Sequence, residues 1–529
     1  MNAIKTLFDA NGSFGKPATG AADFAGPAEL LSRMDRLGIQ RSLAWNVECR
    51  QQHALTSNEH LLDAIERTPG APGRIVPALA ISPLMLYERD GIAKFRRQFE
   101  RGRTRAIRFV RVFGRTTLGQ MEPALRAVLD LRPVLVMNHA EAPPEDILGL
   151  AALLPEVPIV LAESMWPAGI NVFDLMSRRD NLLLEISWLH TCGNVELAVK
   201  RFGAHRVVFG SGPNSHNGAA IAALARAAIS NADKDLIAHG NLDRLIGSET
   251  PADRSPGRVC GGLWRKCIAG ERLGVDVVDA HGHLGPSGGY VLEDQDAPDQ
   301  LERAGREMSA IGLRTMICSG IEALMGEPCS GNDRLETLLG ADTDRFLGYV
   351  VFNPHYADDL VRRLDKWFGG KVFVGFKTLC DYWQVPVTDP RYDPMWEYAQ
   401  RHRLPVLSHT WGGKFDSPAM FADLARKYPE VPFILGHSGG SDDGRREAEA
   451  LAAASPNVYL EWCGSFCSTI RWEDTLRRVS PAQVVFGTDA MAHDIAWELG
   501  RLLSLDAPEE TIAAILGANM RRILALRRQ

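Results

Sequence analysis

The sequence predicts an α/β protein built of two tandem (β/α)₈ barrels, and three observations carry that reading. The chain repeats itself once, with a period of about 270 residues. Each copy alternates short apolar runs with amphipathic stretches, the pattern of βαβ units around a parallel sheet. No GxGxxG fingerprint follows the first run of either copy, which argues against an open, doubly wound nucleotide-binding sheet.

The two copies keep the same order of signals. LFDANGSFG (7–15) answers VVDAHGHLG (277–285), RLGIQRSLAW (36–45) answers AIGLRTMICS (310–319), and RIVPALAISP (74–83) answers RFLGYVVFNP (345–354). RPVLVMN (132–138) then answers LPVLSHT (404–410), and VPIVLAESM (157–165) answers VPFILGHSG (431–439). NLLLEIS (181–187) answers NVYLEWC (457–463), RVVFGSG (206–212) answers QVVFGTD (483–489), and GNLDRLIG (240–247) echoes GANMRRIL (517–524). The offset grows slowly along the chain, as loop insertions would produce. Seven or eight strand–helix units in roughly 250 residues suit a closed barrel better than an open sheet. Length agrees, because 529 residues exceed the roughly 250–300 over which a single core usually grows. The Gly-, Pro- and Ser-rich piece SETPADRSPGRVCGG (248–262) marks the boundary. This gives a first domain over 1–247, a linker over 248–275 and a second domain over 276–529.

Composition is that of an ordinary globular protein, 45% apolar and 23% charged, with a net charge of −6. No basic run stands out, so nothing points to nucleic acid or an anionic membrane as a partner. The nine cysteines form no framework, and the spacing of Cys463 and Cys467 is not that of a CxxC redox pair, so all are expected to be reduced. The opening MNAIKTLFDANGSFG lacks an apolar signal core, and no segment reaches 18 uninterrupted apolar residues, which makes a cytoplasmic location the expectation.

The second copy concentrates the chemistry. Asp279-Ala280-His281-Gly282-His283 closes an apolar strand. Residues two apart share a strand face, so His281 and His283 are expected to point together into the barrel mouth. Paired imidazoles there suit a borderline-soft dication such as Zn²⁺. An HxH alone is a modest signal, but PVLSHT brings His409, FILGHSGG brings His437 and VVFGTDA brings Asp489 to other strand ends. Barrel active sites are built at the C-terminal ends of strands. Core packing explains such a set poorly, since imidazoles and carboxylates are costly to bury unpaired.

On these residues the second copy resembles the amidohydrolase superfamily, and within it the amidohydrolase-2 group, whose relatives include aromatic-acid decarboxylases, lactonases and hydratases. The resemblance spans 276–526. It rests on DAHGH at strand one, the glycine–lysine pair ending at Lys377 near strand four, His409 and His437 after strands five and six, LARKYPEVPFILGHSGG (424–440), GTDA at strand eight, and the final N-x-R-R from Asn519 to Arg522. It implies that His281, His283, His409 and Asp489 bind or border one divalent metal, with Zn²⁺ expected and Mn²⁺ the alternative. It also implies that His437 is a general acid/base. Asp489 has a second reading, as a base beside a metal held by histidines alone. Lys377 has three: a carboxylated bridge between two metals, a partner for a substrate carboxylate, or an ammonium reaching to solvent. Glu461 and Trp462 end strand seven and are expected to line the substrate pocket. Glu185 at the matching place in the first copy gives Glu461 a structural role as the alternative.

The first copy departs from the pattern. Asn11 and Ser13 stand where His281 and His283 do, Arg108 answers Lys377, Met137 answers His409, Glu163 answers His437 and Gly212 answers Asp489. Asn, Ser and Met are poor ligands for such a metal. The first barrel therefore reads as a degenerate copy, with an improvised site from His139, Glu141 and Glu163 as the lesser alternative. Members of the family commonly pair, so an intramolecular pairing of the two barrels is expected, with further homo-oligomers open. Arg108 and Arg111 are candidates for lending a side chain to the second site. The function expected is hydrolysis of a small carboxylated substrate, a lactone or other cyclic ester or an amide, by a metal-activated water. Non-oxidative decarboxylation of an aromatic or enoic acid is the alternative on the same ligands. A catalytically silent metal-containing binding protein is the alternative of another class.

Overall fold

The computed structural model describes residues 4–18, 23–111, 116–164, 169–212, 217–247, 261–464 and 469–528. The chain divides into one unit of residues 1–269 with 289–291 and another of 270–288 with 292–529. In the first unit the strands are β1 (Phe8–Phe14), β2 (Arg41–Asn46), β3 (Ile75–Pro77), β4 (Leu79–Ala80), β5 (Ala106–Arg108), β6 (Val134–Asn138), β7 (Ile159–Ala162), β8 (Leu182–Glu185) and β9 (Val207–Val208). They pair in chain order, β1 to β3 and β4 to β9, and all described pairs are parallel. β3 and β4 are two halves of one barrel strand, broken where Pro77 has no N–H to donate. In the second unit Gly348 holds the matching position, and its N–H donates to the Val372 carbonyl at 2.8 Å. The first strand meets the last through Ala10 N–H and the Phe209 carbonyl, 2.9 Å.

The second unit has β10 (Val278–Leu284), β11 (Thr315–Gly320), β12 (Phe346–Val351), β13 (Phe373–Thr378), β14 (Val406–His409), β15 (Phe433–Gly436), β16 (Val458–Trp462) and β17 (Val484–Phe486). These eight pair in chain order, and a bridge between Gly282 and Ala490 closes the ring. Two (β/α)₈ barrels in tandem are what the repeat predicted.

The copies match in fine detail. The pairing of β1 with β2 slips between Asp9 and Gly12, and that of β10 with β11 slips between Asp279 and Gly282. Gly38 and Gly312 end the helices Pro27–Leu37 and Ala297–Ile311 in left-handed conformations, φ 78° and 86°, which a side chain would resist. The Asn181 side chain donates to the carbonyls of Ala151, Leu154 and Val157, and Asn457 to those of Ala425, Tyr428 and Val431.

A buried apolar layer fills the second barrel, and each of its eight strands contributes to it, among them Val278, Ile317, Leu407, Ile434, Tyr459 and Val485. That layer sets the parity of the site. Leu407 and Tyr459 face inward, so His409 and Glu461, two residues on, do as well. Ala280 also lies in the layer, and regular alternation would turn His281 away. The slip after Asp279 resets the alternation, which lets His281 and His283 share the inner face.

Residues 248–260 of the expected linker lie outside the described residues. From Gly262 to Ile268 the chain forms a helix that buries Leu263, Trp264 and Cys267 within the first unit. Among the described residues, seven cysteines are buried and in no disulfide, and no helix is long and apolar enough to cross a membrane.

Candidate metal centre

His281, His283 and Asp489 meet at the C-terminal mouth of the second barrel. Their ligand atoms all lie within 4.8 Å of one another. His281 Nε2 is 3.1 Å from His283 Nε2, and Asp489 Oδ1 is 3.0 Å from His283 Nε2 and 3.7 Å from His281 Nε2. Two imidazole nitrogens and a carboxylate oxygen at such spacing fit a divalent metal.

The opposite edge of each ring explains the arrangement. His281 Nδ1 meets Glu461 Oε2 at 3.1 Å, His283 Nδ1 meets Ser319 Oγ at 2.7 Å, and His409 Nδ1 meets Asp416 Oδ2 at 2.8 Å. His437 Nδ1 meets the Cys463 carbonyl at 3.1 Å, and His493 Nδ1 meets Glu498 Oε1 at 2.8 Å. All five rings are thus anchored through Nδ1, which leaves Nε2 for the site. His281, His437, Glu461 and Cys463 form a second, overlapping cluster on this anchoring side, with Cys463 Sγ 3.3 Å from His281 Nδ1. Of the anchors, only Glu461 stood out in the sequence. Ser319, Asp416, His493 and Glu498 carry no motif, and spacing alone gave no signal for them.

His409, expected among the ligands, stands beside the trio and outside it. Its ring centroid is 5.0 Å from that of His437, and Trp411 stacks on it at 5.8 Å. His437 lies between His281 and His409, 5.1 Å from the former. Lys377 is 1% exposed, so its reading as a solvent-directed ammonium fails. Its Nζ lies 2.7 Å from His281 Nε2. Glu461 fits the structural role that Glu185 suggested, and Trp462 does not share its face. Glu461 is wholly buried behind His281, and its Oε2 also accepts from His437 N–H at 2.9 Å, so it ties two of the site's histidines together. Trp462, one residue on, turns outward and stacks on Trp472 at 4.7 Å.

Burial governs the electrostatics. Desolvation pushes the imidazoles of His281 and His437 well below their usual range and favours their neutral forms. Burial alone would raise the Asp489 carboxyl, but the hydrogen bond with His283 and the surrounding imidazoles hold it well below the usual carboxylate range. Desolvation pushes Lys377 down and Glu461 up. His437 and Asp489 both sit in the left-handed region, φ 63° and 58°. Such backbone costs about 1–3 kcal/mol per residue and is kept where it aims a side chain.

The first barrel fills the same place differently. Arg108 is fully buried, donates to Asn11 Oδ1 at 3.0 Å and pairs with Glu163 Oε1 at 3.3 Å. Asn138 donates to the other oxygen of Glu163 at 2.7 Å, and Asn11 reaches Glu185 at 3.3 Å. Glu163 keeps the left-handed backbone of His437, φ 61°, whereas Gly212 relieves it where Asp489 stands in the other copy. His139 and Glu141 do not converge on Glu163. The former meets the Ala162 carbonyl and the latter pairs with Arg50. Among the described residues, no cluster of three potential ligand atoms lies wholly within this unit. Arg108 is committed to its own barrel and is not available for loan.

Comparison with known proteins agrees with this architecture. The amidohydrolase family model matches residues 7–247 and again 278–526. No curated protein matches the chain. Among solved structures, 5-carboxyvanillate decarboxylase from Sphingomonas paucimobilis is 14% identical, with 47% of this chain and 99% of that one covered and a TM-score of 0.38. A dihydroxybenzoic acid decarboxylase from Polaromonas, solved with manganese and 2-nitroresorcinol, is 18% identical, covering 48% and 98% with a TM-score of 0.39. The 2,6-dihydroxybenzoate decarboxylase from Rhizobium is 18% identical, covering 48% and 99% with a TM-score of 0.39. These likenesses assign no activity to this chain. With both copies matched over nearly their whole length, the chain belongs to the amidohydrolase family.

Proposed function

We propose that the second barrel is a metal-dependent hydrolase that opens an ester or amide bond, a lactone foremost, in a small carboxylated substrate. The observation that carries this reading is the tautomer of His437. The Cys463 carbonyl can only accept, so the proton sits on Nδ1 and Nε2 keeps its lone pair. A buried, neutral imidazole of this kind is a base for water. Decarboxylation would need a proton delivered to carbon, and this tautomer has none to spare at Nε2.

His281, His283 and Asp489 would hold the metal, with His409 beside them, and Zn²⁺ suits the donors better than Mn²⁺. The metal supplies Lewis acidity. Glu461 and Ser319 orient the two ligand imidazoles from behind. Lys377, buried beside His281, would meet a substrate carboxylate. Trp411 and Tyr382 flank His409 and offer apolar surface to a ring. The first barrel, on this reading, is a non-catalytic copy whose Arg108–Glu163 pair occupies the place of the centre.

Turnover of a lactone and aromatic-acid panel in ¹⁸O-labelled water and, separately, in D₂O tests the proposal. Hydrolysis puts solvent oxygen into a new carboxylate. Loss of CO₂ with solvent deuterium on the product carbon, and no ¹⁸O uptake, would replace hydrolysis by decarboxylation.

A further inference from the structure

His281 meets potential ligands on both edges of its ring. Nε2 belongs to the proposed centre. On the other side, one ligand atom from each of His281, His437, Glu461 and Cys463 lies within 4.8 Å of the rest. Cys463 Sγ is 3.3 Å from His281 Nδ1 and 3.8 Å from His437 Nδ1, and Glu461 Oε2 is 3.1 Å from His281 Nδ1. A zinc-sized ion bonds nitrogen and oxygen at about 2.0–2.1 Å and sulfur at about 2.3 Å. The edges of such a tetrahedron are about 3.3 Å between nitrogen and oxygen and about 3.6 Å between nitrogen and sulfur. All three contacts lie within about 0.3 Å of those edges, so the side chains need little movement to enclose an ion.

Hydrogen bonding does not use up this set. The four residues are at most 5% exposed, and among the described residues no hydrogen bond reaches Glu461 Oε1. A cation would compensate that buried carboxylate, and a thiolate together with a carboxylate neutralises a dication, as a site shut off from water requires. Nor does the frame demand a thiol. In the sister barrel Ser187 answers Cys463, and its hydroxyl donates to Glu185 Oε2 at 2.8 Å. Asn11 and Glu163 stand there in place of the two histidines. Only the second barrel joins a thiol to two imidazoles and a carboxylate, a donor set that favours Zn²⁺ and softer ions.

We infer that His281, His437, Glu461 and Cys463 form a second, weaker site for a thiophilic dication, and that an ion bound there inhibits the barrel. Binding displaces the protons on Sγ and on the two Nδ1 atoms. Those of Cys463 and His281 leave for solvent, and that of His437 passes to Nε2, where it occupies the lone pair of the proposed base. The site stands on its own geometry, and only the inhibition rests on the role given to His437. Co²⁺ titrated into the Zn²⁺-loaded, full-length chain tests it, since a thiolate ligand gives Co²⁺ a near-ultraviolet charge-transfer band and the proposed centre has none. The band should saturate at one equivalent and vanish on dialysis, which leaves the purified chain with one ion. Turnover should fall by about 10²–10⁴ as the band saturates. Cys463→Ser, which copies the sister barrel, should show neither the band nor the inhibition. X-ray absorption at the cobalt edge of the wild type should find one sulfur among nitrogen and oxygen neighbours, and it carries the test if the variant does not fold. No band, a band that persists in Cys463→Ser, or a cobalt shell without sulfur would overturn the site. A saturated band with undiminished turnover would overturn the inhibition and the base role of His437 with it. A chain that turns over no substrate counts against the proposed function alone, because the band and the absorption edge read the site without it.

Discussion

At the scale of single residues, the division of labour among the histidines is the point most open to experiment. His437→Asn keeps a side-chain donor for the Cys463 carbonyl and removes the base, so turnover should fall by about 10²–10⁴ while the metal stays bound. His281→Ala removes a ligand and should instead empty the site. Elemental analysis beside a rate measurement separates the two, and equal loss of metal in both variants would show the roles to be misassigned. His281, His283, His437 and Asp489 were legible because each falls at a strand end in a recognisable string. Asp416 and Glu498 were not, because each gains its meaning only when folding brings it against an imidazole. Lys377 was ambiguous for a related reason. Whether a lysine at a rim turns inward depends on neighbours that the sequence does not set beside it.

Among elements, the matched asparagines offer a direct measure of how far the two frames are still the same. Asn181 and Asn457 each satisfy three carbonyls at a helix end and the turn after it. Removing such a donor leaves buried acceptors without partners, at about 1–3 kcal/mol. Asn181→Ala and Asn457→Ala should therefore lower stability by similar amounts in denaturant melts, and a silent change in one copy would show that its frame has drifted. Alternation along strands was readable from the start and placed Glu461 on the inner face. It also turned Trp462 outward, a consequence the sequence reading left undrawn. The slip after Asp279 could not be read, because a bulge depends on how two strands pair and leaves no mark in either alone. Without it, the HxH string would have been divided from the apolar layer differently.

For the whole molecule, the duplication was the most legible feature, since order along the chain survives when individual residues do not. The unlike fates of the two mouths predict the stoichiometry. Elemental analysis of the purified chain should find one tightly held divalent metal, lost on His281→Ala. Two equivalents would mean either a live first barrel or a binuclear centre through Lys377. The Arg108–Glu163–Asn11 network has a further consequence for exchanging residues between the two copies. Its members satisfy one another, so no single substitution gives this barrel what the other has. Asn11→His alone would take an acceptor from a buried guanidinium and set an imidazole beside it. Glu163→His alone would strand the same cation, and breaking a buried pair costs about 3–5 kcal/mol. Either single exchange leaves a buried charge without its partner, so the network behaves as an interlock: its members can be exchanged together, but not one at a time.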